Sequence, residues 1–479
     1  MIWLSWSPAD GAAAPRYLHE CAALFGSMGM LLLSMGLYSR MMARRVTAPT
    51  FYRNVYRFNR VTRFCRFAIP VWFAVAVFAL DWPAAVRRLV PPGMPLTLEA
   101  PLLLAGTLPA VLAMVLLWWA AYPADRALRD LSVLDRFDQG LPVRGGPTLW
   151  QYLLVNIRMQ LLFMMMPVLA ILALRDVAAL VFHLAGIGVS QSLEIVVALA
   201  CALPVLLLAP ILLVCVLSTE RLPDSPLRRR LEELCRQQSL RVKNVLLWKT
   251  HSSVGNAAVM GLVPGVRYLL VTDLLLEEMP EDQVVAVFAH EIGHIKHRHL
   301  LWMAACGLGL MFAAAGPADT LMRWLSQYVT IPHPYDDLVS LGVAAAAMLV
   351  LFGFAVRRFE RQADVFAARS LPLDDVDRAG PHGQTFVKTP GAALVCEALR
   401  HVAIINNISI IAKEWLHGSL ASRMAFLRQI SDSPQRTWEF DKVMRQLRWV
   451  IIAILIVTLL WTVWNTMYSE PLPGSLPVP

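Results

Sequence analysis

Long apolar runs alternate with polar, arginine-rich stretches along the whole chain. Eight runs read as candidate spanning helices: about Cys21–Tyr38, Phe67–Trp82, Pro101–Tyr122, Tyr152–Leu174, Ile195–Leu217, Leu300–Ala315, Val339–Val356 and Trp449–Met467. A span needs roughly 20 apolar residues, with a range near 17–25. Phe67–Trp82 and Leu300–Ala315 sit at or below that edge, so they extend into flanking residues or do not cross fully. Trp118, Trp119 and Tyr122 close the third run, and Trp461 and Trp464 lie near the far end of the last, as an aromatic interface belt requires. Arg158 lies near the start of the fourth run and is expected to snorkel to the interface.

Two long polar regions remain, Ser218–His299 and Arg357–Arg448. The leucine-rich pair at about 300–356 separates them, so they are expected to form one domain split by a membrane hairpin. Tyr268–Thr272 reads as a short strand, and Val259–Val263 as another before the Pro264–Gly265 turn. Pro280 suits a helix start, with Glu281 and Asp282 at its positive end. The spacing predicts a helix over Glu281–His299 and a surface loop over Leu371–Pro390.

Composition sharpens this picture. Hydrophobic residues make up 57% of the 479 positions and charged residues only 16%, against about a quarter charged in soluble chains. The fold class expected is a polytopic α-helical membrane protein carrying a mainly helical domain with a small β-sheet. The formal net charge is +9, yet no basic nucleic-acid module is visible, which argues against nucleic acid as a partner. Arginines instead gather beside apolar runs. Arg40, Arg44, Arg45, Arg53, Arg57, Arg60, Arg63 and Arg66 follow the first span with no acidic residue among them. That asymmetry marks a cytoplasmic segment. Counting crossings then places Pro123–Gln151 and both long polar regions on the same cytoplasmic side, and both chain ends outside. A bacterial inner membrane is the expected location. The seven cysteines are scattered without a CxxC, and read as buried thiols rather than a disulfide framework. No basic segment precedes the first apolar run, so a cleaved signal peptide is not expected.

The sharpest chemical signal is His290-Glu291-Ile292-Gly293-His294. On a helix, residues four apart share a face, so both imidazoles can reach one zinc ion. Glu291 lies beside that face as a candidate base. Val284, Val285, Val287 and Phe288 can anchor the helix in a core. His297 and His299, with Lys296 and Arg298, read as a solvated or headgroup-facing charge cluster, not as ligands. Two histidines leave a catalytic zinc site one protein ligand short. Glu360 and Asp364, one helical turn apart beyond the hairpin, are the candidates: Glu360 as ligand, Asp364 orienting a ligating histidine.

These residues resemble the M48 family of membrane zinc peptidases, which includes the CaaX prenyl proteases and the heat-shock-associated membrane proteases of bacteria. The resemblance rests on Val285 through His294, then Glu360 with Asp364, and spans about Leu231–Ile430. It implies zinc on His290, His294 and Glu360, one ion per chain, with Glu291 as catalytic base. It implies that Asn256, Ala257 and Gly261 belong to an edge strand that pairs with substrate backbone. It also implies that His417 and Arg423 lie near the oxyanion, although Gly418 stands where relatives carry proline.

The expected function is hydrolysis of peptide bonds in membrane-associated or unfolded proteins at the cytoplasmic face. The partners are then protein substrates and the bilayer. Maturation of a lipidated substrate and membrane quality control are both open. A catalytically inactive scaffold should have lost a ligand or Glu291, and a transporter should place its polar chemistry within the spans; neither pattern is present. No GxxxxGK[ST] suggests ATP use. The expected domains are 1–217 with about five spans, 218–447 as the catalytic region interrupted at about 300–315 and 339–356, and 448–479 as a final span and tail.

Overall fold

Apolar helices account for most of the chain. The computed structural model describes residues 14–78, 80, 82–87, 99–138, 145–188, 190–261, 263–325, 327–328, 335–371, 386–406 and 408–468. In the first part lie α1 (Ala14–Arg45), α2 (Phe51–Phe78), α3 (Trp82–Arg87) and α4 (Glu99–Asp138). Then α5 (Leu149–Asn156) runs through a π-helical turn at Ile157–Leu162 into α6 (Phe163–Leu184), followed by α7 (Gln191–Val216). Met28, Met35, Phe58, Ile69, Ala113, Leu117 and Ala121 lock α1, α2 and α4 together. Beside Pro123 of α4, the Ser39 hydroxyl accepts the Ala124 N–H at 2.9 Å and donates to the Ala121 carbonyl at 3.1 Å. Those bonds brace a helix where proline cannot supply its own.

Six helical stretches among the described residues are long and apolar enough to cross a membrane: Ala22–Arg45, Glu99–Leu131, Leu149–Leu184, Val196–Val216, Gly342–Ser370 and Pro434–Trp461. The protein is therefore a polytopic membrane protein. Their outward faces carry exposed Leu33, Leu37, Leu108, Leu112, Leu199, Leu203, Val350 and Leu459, which lipid would cover. Two expected spans differ. Phe67–Trp82 lies largely in α2, where Arg53, Arg57, Arg60, Arg63 and Arg66 precede it and dilute the helix's apolar content. Leu300–Ala315 lies in a helix whose described apolar part, His299–Met311, is short. Arg158 Nη1 donates to the Ser218 hydroxyl at 2.9 Å, tying the π-turn to the end of α7.

The polar regions fold as helices around one small sheet. Strands β1 (Thr219–Arg221), β2 (Asn244–Trp248), β3 (Ala257–Met260) and β4 (Tyr268–Thr272) stand in the order β1-β2-β4-β3. β2 and β4 are parallel, and the other two pairings are antiparallel. β4 matches its sequence prediction. β3 begins and ends earlier than the expected Val259–Val263, because Gly261 turns the chain at φ +110. A Cβ there would meet the Val266 carbonyl oxygen at 2.6 Å, so only glycine closes this strand.

Around the sheet lie α8 (Pro226–Gln237), α9 (Asp273–Glu278), α10 (Glu281–Lys296), α11 (His299–Leu325), α12 (Tyr335–Ser370), α13 (Thr389–Ile405), α14 (Leu420–Ile430) and α15 (Pro434–Tyr468). The expected loop over Leu371–Pro390 falls mostly outside the described residues, and its last residues already belong to α13. One buried cluster joins the sheet to these helices through Leu231, Leu269, Leu275, Phe288, Ile292, Phe359, Leu427 and Met444. Ala355, Leu310 and Ile451 extend the same cluster into membrane helices. Both α12 and α15 run unbroken from the polar core into a candidate span. The helix expected over Glu281–His299 instead breaks at His297, and Arg298 takes a left-handed φ of 55 before α11 begins.

The approach of α10 to α12 depends on Gly293. A Cβ at this position would lie 3.0 Å from Ala363 Cα and 3.2 Å from Phe366 Cδ1. Gly293→Ala should lower stability by about 1–2 kcal/mol, because overpacking outweighs the gain in helix propensity. Gly293→Val should cost more and lower metal occupancy. Thermal unfolding and elemental analysis of the detergent-solubilised variants check this; an unchanged melting temperature in both would refute the close-packing argument.

Candidate metal centre

α10 is amphipathic, with Val285, Phe288, Ala289 and Ile292 buried at helical spacing. Its opposite stripe presents His290, Glu291 and His294. α12 arrives across Gly293 and brings Glu360. The Nε2 atoms of His290 and His294 are 3.2 Å apart. Glu360 Oε2 lies 3.8 Å from His290 Nε2, and Glu360 Oε1 lies 3.6 Å from His294 Nε2. These three residues offer donor atoms all within 4.8 Å of one another. Two imidazole nitrogens and one carboxylate converging on one point suit zinc, and leave a position for water. The residues present therefore fit the ion that the sequence implied.

The ligands are themselves held. Asp364 Oδ1 stands 2.9 Å from His290 Nδ1, on the far side of the ring from Nε2. Arg423 on α14 donates to Asp364 twice, from Nε at 2.8 Å and from Nη2 at 2.6 Å. Its Nη1 is 3.1 Å from Glu360 Oε2. Burial opposes the charge on Arg423, but Asp364 and Glu360 outweigh it and hold the guanidinium ionised. His417 Nδ1 lies 3.1 Å from the same Glu360 oxygen, while about half of its side chain stays exposed. That contact with Glu360 raises the affinity of His417 for a proton.

Electrostatics separate the two histidines of the motif. Burial, helped by the rings of His290 and His299, lowers His294 to about 3, so its imidazole is neutral. Burial would likewise discharge His290, but Asp364 and Glu360 outweigh it and raise it instead. Glu291 is pushed up to about 7 by burial first and by Glu360 second. The Val259 backbone bond and the charges of His290 and Arg423 pull the other way.

The strand expectation has a specific geometry. The Asn256 carbonyl accepts the Thr272 N–H at 3.0 Å. In an antiparallel ladder backbone direction alternates, so Ala258 and Met260 turn toward β4, and Ala257 and Val259 turn outward. β3 is thus a sheet edge whose outward groups face α10. Asn256 itself is exposed and its side chain caps the Ala257 N–H at 2.9 Å. Gly255 is clamped by Asn406, which accepts its N–H and donates to its carbonyl. Asn406 carries no motif that sequence reasoning could have used.

Seven of the sequence-derived candidates gather at one place: His290, His294 and Glu360 converge, Glu291 sits between them and β3, and Asp364, His417 and Arg423 surround Glu360; Asn256, Ala257 and Gly261 lie along β3 and at its two ends. One expectation is corrected. His299 is not solvated but fully buried, because the turn at His297 and Arg298 folds it back against His294. Its Nδ1 is 2.9 Å from His294 Nδ1.

Part of the chain is similar to known proteins. Residues 221–430 match the model of Peptidase family M48. The chain is similar to a CAAX prenyl protease 1 homolog of Oryza sativa subsp. japonica, 31% identical over 157 residues, which cover 30% of this chain and 37% of that protein. It is also similar to a Protease HtpX homolog of Aeropyrum pernix, 31% identical over 191 residues, covering 38% of this chain and 58% of the relative. The match thus spans well under two thirds of either relative. The crystal structure of S. mikatae Ste24p superposes with a TM-score of 0.46 and 14% identity, covering 87% of this chain and all of that one. The M48 match and the His290–His294–Glu360 cluster together support a metalloprotease function.

If these donors bind the ion, purified chain should carry about one zinc. His290→Ala and His294→Ala should each lose most of it by elemental analysis. Full retention in both would remove the site.

Proposed function

We propose that the protein is a zinc endopeptidase that cuts extended, membrane-associated segments of proteins at the cytoplasmic face. The observation that carries this reading is the placement of Glu291 between the converging metal donors and the open edge of β3. When bound, zinc supplies a Lewis acid that polarises the scissile carbonyl and acidifies water. Glu291 accepts a proton from the attacking water and delivers it to the leaving amine as the C–N bond breaks. Burial raises Glu291 to about 7, which suits a group that both takes and returns a proton near neutral pH. The outward carbonyls of Ala257 and Val259 can accept from an extended substrate, while their N–H groups already meet the Asn256 side chain and Glu291. A folded segment has already used its own backbone bonds, so only an unfolded one can pair there.

His417 is the group best placed to meet an oxyanion, since it is half exposed at the rim and favours its protonated form. Arg423 is engaged with Asp364 and Glu360, so we assign it to holding the ligand set. The helices that carry the site support a membrane location for its substrates: α12 delivers Glu360 directly from a candidate span, and α11 starts five residues after His294. The cytoplasmic orientation rests on the arginine-only stretch from Arg40 to Arg66.

Glu291→Gln should keep zinc and lose peptide hydrolysis. Used in cells as a trap, the same variant should retain membrane proteins or lipid-anchored peptides. Wild-type-like cleavage by the variant would exclude the mechanism, and a trapped set of soluble proteins would exclude the substrate class.

The pH dependence has a definite sign. Glu291 must be ionised to accept a proton, so kcat/KM should fall as pH falls. The midpoint should lie at or below about pH 7, because a nearby cation favours the carboxylate. Zinc content should stay constant across this limb; a fall in zinc at the same pH would assign the limb to ligand protonation instead.

Cysteines placed at Asp224 and Gln435 should resist an impermeant maleimide in intact cells and react in inverted membrane vesicles. Labelling from outside would reverse the topology.

A further inference from the structure

Behind the metal donors lies a hydrogen-bonded chain that the mechanism above does not use. His299, at the first residue of α11, is fully buried between His294 and α12. Its ring stacks on Phe359, with centroids 5.0 Å apart and planes at 27°. Its Nδ1 is 2.9 Å from His294 Nδ1, and its Nε2 is 3.0 Å from Gln362 Oε1. The same Gln362 oxygen accepts from Arg448 Nη2 at 3.2 Å. Arg448 lies on α15 with its guanidinium 5.6 Å from the centre of the Trp302 ring.

The proton positions along this chain follow from what each group can do. A guanidinium only donates, so Arg448 fixes the Gln362 amide with its oxygen inward. That oxygen only accepts, so His299 Nε2 must carry a proton. With His299 neutral, its Nδ1 holds a lone pair and accepts the proton on His294 Nδ1. His294 Nε2 is then left with the lone pair, and it is this atom that faces His290 and Glu360. Each step permits one tautomer, and the last one is the tautomer that can ligate a metal.

We propose that Arg448, Gln362 and His299 act as positioning residues that lock His294 in its metal-binding tautomer and tie the affinity of the site to the C-terminal helix α15. This rests on the reading of His294 as a zinc ligand. Asp364 does the corresponding work for His290 from within the catalytic helices. The His294 branch differs in that it runs through α12 and ends on a helix that continues into the membrane.

The test measures zinc affinity of the purified full chain in detergent, by chelator competition at fixed pH. His299→Asn keeps an acceptor near the Nδ1 position, whereas His299→Leu keeps only bulk. The Leu variant should bind zinc about 10–100-fold more weakly, the usual cost of removing a group that orients a ligand. The Asn variant should stay within about threefold of wild type. Gln362→Leu and Arg448→Met should weaken binding in the same direction with progressively smaller effects. Thermal unfolding of the metal-stripped proteins identifies any variant that has simply failed to fold, and the Asn–Leu contrast survives a general loss of stability. Wild-type affinity in His299→Leu would overturn the proposal, as would equal weakening by Asn and Leu. Unchanged affinity in Arg448→Met would remove the link to α15. Should His294→Ala itself keep zinc, the ligand assignment fails; should it lose zinc while His299→Leu does not, only the relay fails.

Discussion

The site is organised by a buried positive charge that cannot be left alone. Arg423 is almost fully removed from solvent, and so are the two carboxylates it serves. An ion taken out of water needs opposite charge and hydrogen bonds at close range, and removing one partner of such a set costs about 3–5 kcal/mol. Asp364 and Glu360 satisfy Arg423 from successive turns of α12. Asp364 in turn meets His290 from α10. Three helices are thereby fixed in one register, α14 against α12 and α12 against α10. The spacing of the metal donors is a by-product of that register as much as of the motif itself.

The same helices belong to the membrane region. α12 and α15 each contribute to the polar core and to a candidate span. On the other side, the sheet packs Leu246, Trp248, Tyr268 and Leu270 against Leu217, Ile211 and Val214 at the end of α7. Arg158 joins this seam through Ser218. The polar region that carries the metal donors is therefore not a separate globule hung from anchors. Its core and the packing of the helical hairpin are continuous, which places the metal donors close to the polar–apolar boundary.

How much of this could be read in advance depended on sequence distance. His290, Glu291 and His294 were legible because helical spacing alone brings them together. Glu360 and Asp364 were legible only once a zinc helix stood nearby to need a third ligand. β4 announced itself through Tyr268 and Val271. β3 was displaced, because Ala257 and Ala258 have little strand preference and the position that ends the strand is a conformationally special glycine. β1 is only three residues long, and β2 has Leu246 and Leu247 rather than β-branched residues at its centre, so neither stood out. His299 was misjudged for a different reason. Its burial requires a left-handed turn at Arg298, a residue type that gives no warning of such a conformation. Gln362 meets His299 across 63 positions of chain and Arg448 meets Gln362 across 86, and no local pattern reports contacts at that range.

Unlike α2, α4, α6 and α7, which all contain proline, α12 has none in its 36 residues. At 1.5 Å per residue it is a rod about 54 Å long. A rod without a hinge transmits rotation. When hydrocarbon thickness changes, a long helix adjusts by tilting, and the end that carries Glu360 must tilt with it. The Asp364–His290 pair and the close contact at Gly293 tie that end of the rod to α10, so a tilt of α12 in the bilayer would carry the imidazoles and the carboxylate together.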